Sequence, residues 1–215
     1  QNYTVEPGVL LKISPGVTIS VRDGKKILVH GSLIAEGTEA EPITFTSSDS
    51  LGTWRGIEVI QKNDNPLPSI ELNYCNISRA NKRAVLLDTY ATADINSCKF
   101  FHNYDHGALS SRDGVLRLSN SHFLDNSIYS NSPKFGSALY IENSDAHISN
   151  TLFMENESAK SGTGTIHIKS PDSDEDRTIE FHNSYFSHNT FTDSASNVNM
   201  GLAIYSEDYE GDLRM

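Results

Sequence analysis

Apolar and polar residues alternate in short runs along this chain, and Pro, Gly, Asp or Asn breaks each run after a few residues. PGVLLKI (7 to 13), PGVTISV (15 to 21), ILVHGSLIAEG (27 to 37), ITFTS (43 to 47), WRGIEVI (54 to 60) and IEL (70 to 72) have the period of two expected of half-buried strands. The twice-used Pro-Gly pair is a turn signal, with Pro fixing one torsion and Gly supplying the positive one. Beyond residue 70 the pattern becomes a repeat. LNYCNISRA (72 to 80), INSCKFFHN (95 to 103), LSNSHFLDN (118 to 126), ISNTLFMEN (148 to 156) and FHNSYFSHN (181 to 189) align without gaps. An apolar residue opens each segment, followed by Asn at the second or third place (Asn73, Asn96, Asn120, Asn150, Asn183). The fourth place is small (Cys75, Cys98, Ser121, Thr151, Ser184), and the sixth is large and apolar (Ile77, Phe100, Phe123, Phe153, Phe186). Four segments close on Asn103, Asn126, Asn156 and Asn189, and a second apolar run, often led by Gly, follows each segment.

A repeat of about two dozen residues made of short strands cannot bury its inward side chains alone, so successive copies must stack. The expected fold is all-β: a single-stranded right-handed parallel β-helix of about eight rungs, roughly 40 Å tall at the interstrand spacing. Residues 1–215 form one domain in this reading, with N-terminal coils over 1–69, repeat coils over 70–206 and an acidic tail over 207–215. The phenylalanines should stack inside, and the Asn residues at the second and third places should line a bend and form an amide ladder. Excess residues should leave as loops at 127–135, 169–178 and 190–200. A sandwich has no reason to repeat a nine-residue template five times.

Composition changes the picture in two ways. With 28 Ser, 18 Asn and 14 Thr, the chain favours turns, caps and strands and argues against an all-helical fold. The net charge of −11 argues against nucleic acid or an anionic membrane surface as partner, and no apolar run is long enough to insert in a membrane. The sequons at Asn2, Asn76 and Asn156 would accept glycans in a secretory pathway, which makes an extracellular or cell-surface location the expectation. Gln1 opens the chain, as in a processed or excised form.

The run from 15 to 59 resembles the N-terminal coils of right-handed parallel β-helix proteins of cell surfaces and secretions. The Phe-x-x-Asn segments and the runs Gly107-Ala108-Leu109, Gly136-Ser137-Ala138-Leu139 and Gly201-Leu202-Ala203-Ile204 resemble the FxxN and GGA(I/L/V) repeats of chlamydial polymorphic membrane proteins. That resemblance implies β-helical adhesin passengers, though the second half of the motif lacks its double Gly here.

Candidate chemistry is sparse. One expected outward column reads Arg79, His102, Asp125, Glu155, His188, and another reads Glu71, Asp94, Arg117, His147, Glu180. Each sets basic residues beside carboxylates, as a lyase or glycosidase site could use and as cross-strand pairs on a solvated face ordinarily show. Tyr140, His167 and Tyr205 on a neighbouring face are candidate sugar contacts. Asp172-Ser173-Asp174-Glu175-Asp176 has the spacing of half a calcium loop, but Arg177 and Asn183 stand where Gly and Glu are needed. No metal or other cofactor is expected. Cys75 and Cys98 share one template position, so they form either a disulfide between rungs or two buried thiols. The leading functional expectation is a non-catalytic structural or adhesive rod, able to associate end to end through its open rungs and to meet glycans or surface proteins. The alternative is a carbohydrate-binding or polysaccharide-cleaving β-helix resembling pectate lyases.

Overall fold

Three faces of parallel strands wind around one apolar shaft. The computed structural model describes residues 2–49, 52–62, 66–129, 135–158, 164–169, 177–192, 199–200, 203–207 and 212–214, and the acidic run 172–176 lies outside them. Sheet one runs from Tyr3–Val5 to Ile204–Glu207 and sheet two from Leu10–Ile13 to Asp212–Arg214, with eight strands each. Sheet three runs from Thr18–Val21 to Tyr185–Ser187 and has seven. Each strand pairs in parallel with its equivalent one coil away, for example Leu72 with Ile95 and Ile95 with Leu118. The chain is therefore a parallel β-helix of eight rungs. Within the segment 207–215, expected as an acidic tail, Asp212–Arg214 form a strand of the last rung: Leu213 pairs with Ile179 and packs against the core.

The repeat template has a direct physical reading. Its first and sixth positions point inward, and Phe100, Phe123 and Phe153 are fully buried. Their rings stack at 4.7 Å and 5.1 Å, within 18° of parallel, and Phe186 continues the file 4.9 Å beyond Phe153. Below them Ile77 and Phe45 hold the same column. The third position turns the chain from sheet two to sheet three: Tyr74, Ser97, Asn120, Asn150 and Asn183 all have φ between 47° and 54°. The fourth is the small-residue file, where Ser121 and Thr151 donate to the carbonyls of Ser119 and Ser149. Cys98 fills the same role toward Asn96.

The motif Phe-x-x-Asn follows from a second bend. After the inward Phe, the eighth position adopts the left-handed conformation (Arg79, His102, Asp125, Glu155, His188, φ 51° to 61°), which swings the ninth side chain back inside. The main amide ladder therefore stands at the ninth position, whereas the second and third places were expected to carry it. Nδ2 of Asn103, Asn126 and Asn156 donates to Oδ1 of the next Asn, each at 2.9 Å. The same nitrogens reach back to the carbonyls of Ile77, Phe100 and Phe123. Each Oδ1 also accepts the backbone N–H of the preceding Asn, at 3.0 Å to 3.2 Å. The expected places carry only a short half-buried cluster of Asn73, Asn96, Ser119 and Asn120.

Glycine leads the second apolar run because the next coil presses on it. A Cβ at Gly107 would lie 2.2 Å from the carbonyl oxygen of Gly136, and its φ is +80°.

Candidate functional site

The outer surface of sheet two is the candidate site. Strand register stacks Glu71, Asp94, Arg117, His147, Glu180 and Arg214 in one outward file, one residue per rung. Alternation puts these positions in solvent while Leu72, Ile95, Leu118 and Ile148 hold the strands to the shaft. Beside the file run Glu36, Asn73, Asn96, Ser119 and Ser149, and together with Glu71, Asp94, Arg117 and His147 they line an open groove of about 570 Å³. The expected column is thus brought together and gains Arg214, which lay in the segment expected as tail.

Charges in the groove compensate one another along the rod. Arg117 lies 3.9 Å from Asp94, with both side chains about 60% exposed. Nδ1 of His147 lies 2.9 Å from the Glu180 carboxylate, and His182 and Arg214 reach the same group at 3.6 Å and 3.1 Å. The hydrogen bond from His147 is the main cause holding the Glu180 carboxyl below the usual carboxylate range, helped by His182 and by the charge of Arg214. At the other end Glu36, Glu71 and Asp94 line the groove together. Among the described residues no group of three or more His, Cys, Asp or Glu is arranged to hold a metal ion.

The other expected column, Arg79 to His188, is the file of left-handed bends described above. Its closest pair is His102 Nε2 to Asp125, 3.1 Å apart and half exposed. Beside it stands an aromatic pair that sequence reasoning missed: Tyr104 and Tyr129, with rings 6.5 Å apart and nearly parallel. The Tyr104 phenol is pushed up by burial and by neighbouring Tyr129 and Asp125. The available signal was Tyr129 in the insertion after Asn126, two residues beyond Ser127, the rung equivalent of Tyr104.

Tyr140 and His167 are not open to a sugar: both are buried, at 4% and 0% exposure, Tyr140 clustering with Ile128 and Phe135 on the outside of sheet one and His167 lying between the rings of Tyr140 and Tyr205. Phe135 meets the Tyr140 ring edge-on at 4.8 Å, and Tyr140, His167 and Tyr205 continue edge to face up the rungs.

Of the sequons, Asn2 is exposed and Asn76 is half-buried on the outside of sheet three. Asn156 has no exposure, and its amide nitrogen serves Phe123 and Asn189. A glycan at Asn156 is incompatible with this packing. Cys75 and Cys98 are free and buried rather than bridged. Cys98 Sγ accepts the backbone N–H of Cys75 at 3.4 Å, and both thiols turn to main-chain carbonyls as the Ser and Thr of the file do. The hydrogen bond to Cys98 and burial push the Cys75 thiol up.

No family model matches the chain, and no curated protein matches it. Among solved structures it is similar to an alginate lyase from Paenibacillus sp., at 12% identity over 86% of this chain and 93% of that one, with a TM-score of 0.27. A likeness at that score carries no weight, and the β-helix rests on the strand registers themselves.

Proposed function

We propose that the chain is a non-catalytic, extracellular adhesive rod that binds glycans along the groove of sheet two. The observation that carries this reading is the in-register polar file from Glu71 to Glu180 beside Asn73, Asn96, Ser119 and Ser149. An oligosaccharide lying along the rod axis meets hydroxyl, amide and charged partners at each rung, spaced about 4.8 Å apart, close to the length of one sugar unit. Catalysis asks for something different: a water-excluding enclosure around preorganised charges. Here Asp94, Arg117 and His147 are half exposed or more, and Arg117 and His147 are each matched with a carboxylate, which suits recognition of a polar chain.

The test is a glycan array of oligosaccharides of increasing length, with a reducing-end assay on every binder. The expected result is affinity that grows with length over the first few sugars, with no new reducing ends. Because hydrogen bonds to charged groups contribute about 1.5–3 kcal/mol, Asp94→Ala and Arg117→Ala should each weaken binding about tenfold or more. Absence of any binder, or binding unchanged by both variants, refutes the groove. Cleavage that Asp94→Ala or Asp125→Ala abolishes replaces this reading with the polysaccharide-cleaving one.

A further inference from the structure

At the corner leading into sheet one, a guanidinium has no carboxylate partner among the described residues. The register of Val85 with Leu109 and Leu139, continued two residues back, places Arg83, Gly107 and Ser137 on successive rungs at the corner leading into sheet one. The Arg83 guanidinium lies 4.3 Å above the centre of the Phe135 ring, and the His106 ring packs against the same Phe at 5.5 Å. Carboxylates on this side are committed elsewhere: Asp88 to Arg112 at 2.7 Å, Glu142 to Lys169 at 3.2 Å, and Glu58 to Lys26. Among the described residues no carboxylate pairs with Arg83. Its Nε is buried without a hydrogen-bond partner, and so are Nδ1 of His106 and Oγ of Ser137. Ser110, fully buried between Leu86 and Tyr140 on the outward file, leaves its hydroxyl unmatched as well.

Buried donors without partners are costly and rare, and several in one corner mark a place where something else supplies the acceptors. Neutral water satisfies a hydroxyl. It does not compensate a desolvated guanidinium held over an aromatic ring. We infer that Arg83 and His106, on the Phe135 platform beside Ser110 and Ser137, form a binding site for a small oxyanion, a carboxylate or sulfate group.

The planar fork of Arg83 suits such a group better than an ammonium would. In the free protein, burial and the charges of Lys82 and Arg83 lower His106 to about 4, against a smaller opposing effect from Asp105. A bound anion adds negative charge beside the ring and must raise that value by linkage. Burial and the charge of Arg112 likewise lower Arg83 to about 10, against smaller opposing effects from Tyr140, Asp88 and Glu58.

The experiment is an NMR titration of the His106 ring protons against pH, with and without sodium sulfate, sodium glucuronate or sodium chloride at matched ionic strength. The expected result is a saturable rise of one unit or more in the His106 midpoint with sulfate or glucuronate and not with chloride. Arg83→Gln should weaken the effect at least tenfold, and Arg83→Lys should restore only part of it. Response to glucuronate alone assigns the site to sugar carboxylates, and response to sulfate alone assigns it to sulfate. Absence of a saturable shift, or one that persists in Arg83→Gln with its circular dichroism unchanged, overturns the inference. Glycan binding in the sheet-two groove is measured separately, so either result leaves that reading standing.

Discussion

Truncating Asn126 in the middle of the amide ladder should show how much the ninth template position contributes. Its Oδ1 accepts from the backbone N–H of Asn103 at 3.2 Å and from Asn103 Nδ2 at 2.9 Å, while its Nδ2 donates to Phe100 and to Asn156. Asn126→Ala removes all four bonds and leaves two donors of Asn103 facing a place with no solvent, since both residues have no exposure. At about 1–3 kcal/mol for each buried orphan, the loss is about 4 kcal/mol, a large share of the roughly 5–15 kcal/mol available to a folded domain. In urea this shifts the midpoint down by about 1.5 M. Asn126→Asp separates geometry from hydrogen-bond polarity. It keeps the acceptor for Asn103 but turns an anionic oxygen toward the Phe100 carbonyl and Asn156 Oδ1. Burial and those acceptors raise the folded-state pKa of the new carboxyl above its unfolded value of about 3.9. Its penalty is therefore smallest below that pH and grows as pH rises toward the raised value. The assay is urea unfolding at pH 4 and pH 7. Circular dichroism would be followed beside fluorescence of Trp54, which is fully buried and donates to the Ser78 carbonyl at 2.7 Å. Agreement of the two probes tests whether the rungs unfold as one unit. A loss under 1 kcal/mol for Asn126→Ala, or an Asp penalty identical at both pH values, refutes the ladder as a source of stability. Asn189→Ala, half-buried at the end of the ladder, should cost about half as much.

Four other outcomes are expected. Native protein should show no thiol reactive toward a thiol reagent at pH 8, and denatured protein two; fewer than two on denaturation without reductant would establish a bridge between Cys75 and Cys98. Glu180 should stay ionised at a pH where ordinary carboxylates are half protonated, and the stabilisation from its partners should be lost only as pH falls through its lowered value. In a carbon-detected NMR titration, His147→Ala should move the Glu180 midpoint upward, and an unmoved midpoint would contradict the assigned cause. In protein secreted from a glycosylating host, glycopeptide mass spectrometry should find carbohydrate at Asn2 or Asn76 and none at Asn156. At high concentration the first rung, where Leu10 and Leu11 are 50% and 40% exposed, should drive association that Leu11→Asp reduces in sedimentation velocity; a wild-type chain that stays monomeric refutes that surface.

The shaft was legible in the residues because inward positions repeat their chemical type: Phe100, Phe123 and Phe153 announce one stacked file, and strand runs such as 43–47 match the observed Ile43–Ser47. Ladder placement was not. Asn occurs at three template positions, and only the backbone conformation at the residue before Asn103 or Asn126 decides which side chain turns inward. The run 27–37 was expected as one strand, but it bends at His30-Gly31 into Ile27–Val29 and Ser32–Glu36. A Cβ at Gly31 would lie 2.3 Å from the Val9 carbonyl oxygen, a constraint set by the neighbouring coil. The outside of sheet one misled for a related reason. Tyr140 occupies an outward position by strand phase, and only its packing with Ile128 and Phe135 converts that outward side into an interior. The charge column of sheet two was legible because a constant period puts one residue of it on every rung, whereas the Arg83 corner depends on which carboxylates are already taken.

The bend between sheets two and three keeps one length from the fourth rung onward: a left-handed residue, then a small one, as at Ser97-Cys98, Asn120-Ser121, Asn150-Thr151 and Asn183-Ser184. Coil lengths of 23, 30 and 33 residues are absorbed elsewhere on the perimeter. The edge along this bend thus behaves as a ruler whose graduations survive changes in chain length, while the extra residues enter after the ninth template position and between Ile166–Lys169 and Thr178–His182. Variants that lengthen or shorten the insertions can diversify one flank of the rod without altering the pitch at which the other presents its side chains.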